Sequence, residues 1–99
     1  MNDGHEEPDV KFLDCIGRRW ALRLLWELRH GPATSRMLRQ RCGVSPSVLQ
    51  TRVDELRRAR LIFMGSAGYE LTELGREFVT ILAPLGDFAR KWVHAIRSV

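Results

Sequence analysis

A mainly α fold carrying one small β-hairpin is what this 99-residue sequence predicts. Three observations predict it. The stretch from Ser35 to Ala59 reads as a helix, a tight turn and a second helix. A short apolar run, a glycine-bounded turn and an alternating Tyr69-Glu70-Leu71 follow it. Apolar residues then recur at steps of three and four from Phe78 to Ile96, the spacing of one helix face.

Residues 1–7 are acidic and polar, offer nothing to bury, and are expected to be a flexible tail, with one domain over residues 8–99. A first helix is expected from Pro8 or Asp9, carrying Val10, Phe12, Leu13 and Ile16 and ending at Gly17. Arg18 to Arg29 reads as a stronger helix. Trp20, Leu24, Leu25 and Leu28 form its stripe, and Arg23 and Glu27 stand four apart, as an ion pair on a helix requires. His30-Gly31-Pro32 stops it, and Ala33-Thr34 can add a very short strand.

Thr34 or Ser35 can cap the next helix, which carries Met37 and Leu38. Gly43 follows, at a turn where a positive φ favours glycine. Ser45 can cap the second helix, and Pro46 fits its first position, where a missing N–H costs nothing. Leu49, Val53 and Leu56 fall on one face of that helix. Its other face carries Ser47, Gln50, Thr51, Asp54 and Arg58, short polar, amide and charged groups able to enter a DNA major groove. The stretch is expected to form a helix-turn-helix whose second helix reads DNA.

Leu61 to Met64 has strand preference, Gly65 to Gly68 is a turn, and Tyr69 to Leu71 returns. A hairpin placed directly after a helix-turn-helix makes the arrangement winged. Thr72 can cap a final long helix, with Glu73 near its positive end. In that helix Phe78, Leu82, Leu85, Ala89, Trp92 and Ile96 form a heptad-like seam, expected with Phe12 to hold two copies together. Pro84 should kink or restart the helix.

Charge supports the DNA reading. Arg18 to Arg60 holds eleven arginines against Glu27, Asp54 and Glu55, a balance of +8, whereas residues before Arg18 sum to −4 and those after Arg60 to zero. The net +4 thus conceals a concentrated basic middle, the footprint of phosphate binding. Arginine's planar fork suits phosphate and guanine edges better than lysine's point charge. Cys15 and Cys42 make neither a CxxC pair nor a disulfide framework, and Cys15 is expected to behave as a buried small hydrophobe. Cys42, beside the turn, could be exposed near DNA, though no activating partner for it is evident. There is no signal peptide and no apolar run near the roughly 20 residues of a membrane span, so a soluble, cytoplasmic chain is expected. His5, His30 and His94 are scattered, and no catalytic or phosphate-loop motif occurs. Neither an enzyme, nor a metal site, nor a cofactor is expected.

Four pieces in register, FLDCIGRRW, LLWELRHGP, GVSPSVLQTRVDELRRARLI and YELTELGREF, resemble the HxlR-type winged helix-turn-helix regulators of bacteria, relatives of the MarR-like repressors. The matching residues are Leu13, Asp14, Ile16, Gly17, Arg19 and Trp20, then Gly31-Pro32, Ser45-Pro46, and Leu71, Thr72 and Gly75. The resemblance implies a homodimeric transcription factor, most often a repressor, whose first and last helices build the interface. Each recognition helix would then enter a major groove of an inverted repeat. Carried onto this sequence, Ser47, Gln50 and Thr51 become candidates for base edges; Ser45, Arg36, Arg39, Arg52 and Arg58 become candidates for phosphate.

The chain also departs from the family. Glu7 stands where many members carry a cysteine before Pro8, the hairpin is short and lacks its customary basic residue, and Trp92 comes about a turn late. The competing reading is a winged-helix interaction or dimerisation module that never reads DNA sequence, favoured by the uncharged wing. An effector is a further possibility, with Trp26, Phe12, Phe78 and Trp92 as lining for an apolar pocket between the dimer helices.

Overall fold

The computed structural model describes residues 7–98, so the expected tail falls almost wholly outside the described residues. Its elements are α1 (Pro8–Ile16), α2 (Ala21–Glu27) with a 3-10 turn at Leu28–His30, α3 (Ser35–Cys42), α4 (Pro46–Arg58), β1 (Ile62–Gly65), β2 (Gly68–Leu71), α5 (Glu73–Ile81) and α6 (Leu85–Arg97). The strands form one antiparallel hairpin, with Ile62 opposite Leu71 and Gly65 opposite Gly68. The fold is therefore mainly helical with a single wing.

One core holds α2 to α5 together. Leu24, Leu25, Leu38, Val53, Leu56 and Leu61 are its fully buried side chains. Burying each is worth roughly 1.5–3 kcal/mol of transfer free energy, so these side chains hold α2, α3 and α4 together. Ala33 pairs with Tyr69 through two backbone bonds of 3.0 and 2.8 Å, which ties the wing to the segment entering α3. The short strand expected at Ala33-Thr34 is thus a single bridge at Ala33.

Three boundaries differ from the sequence reading. The helix expected from Arg18 begins at Ala21, because Trp20 adopts a left-handed φ of 79° and breaks the helical path. Helical periodicity could not reveal this, since Trp20 continues the stripe in phase. Leu61 precedes the strand rather than opening it: its side chain is buried and its carbonyl accepts from the Thr72 amide at 3.0 Å. The last helix is two helices, interrupted at Leu82–Pro84, so Pro84 restarts the chain instead of bending it.

Helix α6 stands apart. None of its residues is buried. The radius of gyration, 15.1 Å, exceeds the roughly 13 Å of a compact chain this long, as a projecting helix requires. Leu85, Phe88, Trp92 and Ile96 are all exposed and, at steps of three and four, form its apolar stripe.

Candidate nucleic-acid interface

Local chemistry positions the two helices of the motif. The Thr34 hydroxyl accepts from the Met37 amide at 3.2 Å and caps α3, so Thr34 rather than Ser35 holds the cap. Gly43 ends α3 with φ 70°, the left-handed geometry a residue with a Cβ resists. The Ser45 hydroxyl accepts from the Val48 amide at 3.3 Å, with Pro46 in the first turn of α4. Leu49, Val53 and Leu56 then seal one face of α4 into the core. That burial fixes which face looks outward.

The outward face carries Ser47, Gln50, Thr51 and Arg58, all exposed, with Asp54 half-buried beside them. Two of these side chains are already engaged. Gln50 Nε2 donates to Asp54 Oδ1 at 2.9 Å, and Thr51 Oγ1 donates to the Ser47 carbonyl at 3.0 Å. Arg36 and Arg39 project from α3 and, with Gln40, Gly43 and Val44, line a shallow depression beside the turn. None of Arg36, Arg39, Arg41, Arg57, Arg58 and Arg60 makes an ion pair among the described residues. Six uncompensated guanidinium groups around α3 and α4 give this surface its positive potential.

Arg52 is not part of that set. Its side chain, 20% exposed, turns inward, where Nε donates to the Arg19 carbonyl at 2.8 Å and Nη1 bonds Glu55 at 3.0 Å. Arg18 reaches the same Glu55 at 3.7 Å. Geometry corrects the expectation of a phosphate contact: this arginine pins the α1–α2 loop to α4. Cys42 is likewise corrected, being buried against the core rather than open beside the turn. Burial pushes its thiol up, and the nearby Arg23 charge offsets this in part. Cys15, expected buried, is half-buried.

The hairpin loop Ser66-Ala67 carries no charge, while Phe63 and Met64 of β1 are exposed. Among the seam residues, Phe12 and Phe78 pack edge to face at 4.8 Å within one chain and lean on its own core. Leu82 falls in the interruption between α5 and α6 and is half-buried. Ala89 lines a groove with Trp26, Gly86 and Val93. Leu85, Trp92 and Ile96 remain on the exposed stripe, joined by Phe88, which the heptad reading left out. The apolar pocket expected of Trp26, Phe12, Phe78 and Trp92 is divided. Phe12 and Phe78 share a hollow of about 280 Å³ with Leu61, Leu74 and Ile81; Trp26 lines the separate α6 groove, and Trp92 lines neither. Among the described residues, no three or more His, Cys, Asp or Glu gather as a metal site requires, and no helix is long and apolar enough to cross a membrane.

A capped α3–turn–α4 unit, a wing bridged back to the segment entering α3, and an outward basic face define a winged helix-turn-helix regulator. The chain belongs to the HxlR-like helix-turn-helix family, whose profile matches residues 15–97, and is a DNA-binding transcriptional regulator. An uncharacterised helix-turn-helix-type transcriptional regulator of Methanocaldococcus jannaschii is 26% identical over 85 residues, covering 81% of this chain and 80% of that one. Among solved structures, quinone-bound YodB from B. subtilis superposes with a TM-score of 0.74 at 20% identity, over 87% of this chain and 99% of that one. A MarR-family regulator from Enterococcus faecalis gives 0.70 at 20% identity over the whole of both chains. Reduced HlyU from Vibrio cholerae gives 0.67 at 22%, over 78% of this chain and 86% of that one. At these identities the structural likeness is one of fold.

Proposed function

We propose that this regulator works in the cytoplasm as a homodimeric repressor, one winged-helix domain per chain, bound to an inverted-repeat operator. The observation that carries the reading is the set of six arginines on α3, on α4 and just beyond it that make no ion pair among the described residues. Ser47, Gln50 and Thr51 read base edges from that face. Ser45, Arg36, Arg39 and Arg58 hold the flanking phosphates and set register without selecting sequence, and Arg52 drops out of this set. Support for the homodimer comes from α6, none of whose residues is fully buried and which presents Leu85, Phe88, Trp92 and Ile96 together on an exposed stripe. Half-sites about 34–36 Å apart would match two such heads on one face of the duplex.

The test is selection of genomic fragments by purified protein, followed by titration of the winners at several salt concentrations. Recovery of an inverted repeat, bound far more tightly than random DNA by a species of dimer mass, supports the reading. Recovery of no preferred sequence, with binding that vanishes at physiological salt, overturns it in favour of an interaction module. The uncharged Ser66-Ala67 wing tip would then be the feature to follow.

A further inference from the structure

Asp54 lies one helical turn beyond Gln50 on the outer face of α4 and accepts the 2.9 Å bond from Gln50 Nε2. A carboxylate has acceptor sites alone, so it can engage only the NH₂ end of the amide. The bond therefore settles which way Gln50 is turned: Oε1 faces away from Asp54, and one N–H remains free. Thr51 has committed its hydroxyl proton to the Ser47 carbonyl at 3.0 Å, which leaves its oxygen lone pairs and its methyl group outward. No ion pair neutralises Asp54 among the described residues, although Arg57 and Arg58 lie on the same helix. A bare carboxylate there opposes phosphate binding, so it does not serve general affinity. Its chemistry suits hydrogen-bond donors instead.

We propose that Asp54 is a positioning and specificity-determining residue of the DNA interface, and that the Gln50–Asp54 pair selects an amino-bearing base. The inference rests on α4 being the base-reading helix. Adenine and cytosine present N6 and N4 amino groups to the major groove, whereas guanine and thymine present O6 or O4 in the same region. Gln50 Oε1 accepts the one amino N–H that base pairing leaves free, while the Asp54 carboxylate holds Nε2 and so keeps Oε1 turned to the base; facing O6 or O4, the Oε1 lone pairs repel. Adenine gains a second bond, because the free Gln50 N–H can reach N7. One base pair in each half-site is therefore read as adenine first, cytosine second, and guanine or thymine last, on the strand that faces the pair.

Selection from randomised DNA by the wild type, Asp54→Asn and Asp54→Ala tests this, with the salt dependence of binding to unselected DNA measured alongside. The wild type should select adenine or cytosine at one position per half-site. Asp54→Asn keeps the shape but can donate to Oε1, so the amide can turn. Discrimination against guanine at that position should fall about tenfold, with the other positions unchanged. Asp54→Ala should lose the same discrimination, and both variants should bind unselected DNA at least as tightly as the wild type. Base preferences identical in all three proteins would overturn the role of Asp54. A wild type that selects no sequence would instead refute α4 as the reading helix, so the two failures are distinguishable.

Discussion

Arg52, on α4, donates from Nε to the backbone carbonyl of Arg19 at 2.8 Å, joining residues 33 apart in the chain. The same guanidinium bonds Glu55, so its charge is spent inside the protein. Arg52→Ala should destabilise the fold by about 1–3 kcal/mol, since it leaves the Arg19 carbonyl without its charged donor and Glu55 with only the longer 3.7 Å contact to Arg18. Denaturant titration checks this. Arg58→Ala should do the opposite, leaving stability within about 0.5 kcal/mol while lowering the salt slope of DNA binding by about one.

Gly75, in the first turn of α5, packs against the carbonyl oxygen of Leu61, and any Cβ there would collide with it. The neighbour is backbone, held by the Thr72 amide, and has little room to move. Gly75→Ala should cost about 1–3 kcal/mol through overpacking, despite alanine's better helix propensity. Thermal unfolding would show a lowered midpoint; an unchanged or raised one would contradict the close approach.

The stripe on α6 makes a prediction that the heptad reading would not. Phe88→Glu should weaken self-association as strongly as Trp92→Glu, because both rings are more than half exposed on the same stripe. Sedimentation equilibrium of the two variants checks it. A monomeric Trp92→Glu beside a fully dimeric Phe88→Glu would return the seam to the 85–89–92–96 register.

Cys42 gives the pH dependence. Burial raises its thiol, so the folded state keeps the proton at pH values where the unfolded chain has released it. That stability is fully present below the ordinary thiol range, near pH 8.5, and declines as pH rises through it. Cys42→Ala should lose less stability than the wild type over the same alkaline interval. In the folded wild type, alkylation of Cys42 should lag that of the half-buried Cys15.

The capped elements were the most legible part of the sequence. Thr72 holds α5 as expected, accepting from the Gly75 amide at 3.0 Å while donating to the Arg60 carbonyl at 2.7 Å. Ser45, Pro46 and Gly43 act locally, and the Leu49–Val53–Leu56 face is set by helical period alone. What stayed hidden depends on distant partners or on backbone breaks. Arg52 looked like any other arginine until the α1–α2 loop was placed beside it. Trp20 fits a helical stripe perfectly well, yet its φ of 79° starts the helix later. Phe88 is missed by a heptad count, which takes Ala89 after Leu85, whereas the exposed stripe of α6 runs through Phe88. Gln50 and Asp54 were both visible on the polar face; their i,i+4 spacing was the available sign of their bond.

The break at Leu82–Pro84 has a consequence for how such regulators can diversify. In a dimer held by α6, these three residues are the joint between each reading head and the shared scaffold. A continuous helix would turn the head by roughly 100° for every residue inserted, scrambling its aim. A loop absorbs an insertion by local adjustment. An insertion at this joint would then change the separation of the two heads, and so the length of the DNA spacer between them, while the outer face of α4 stays as it is.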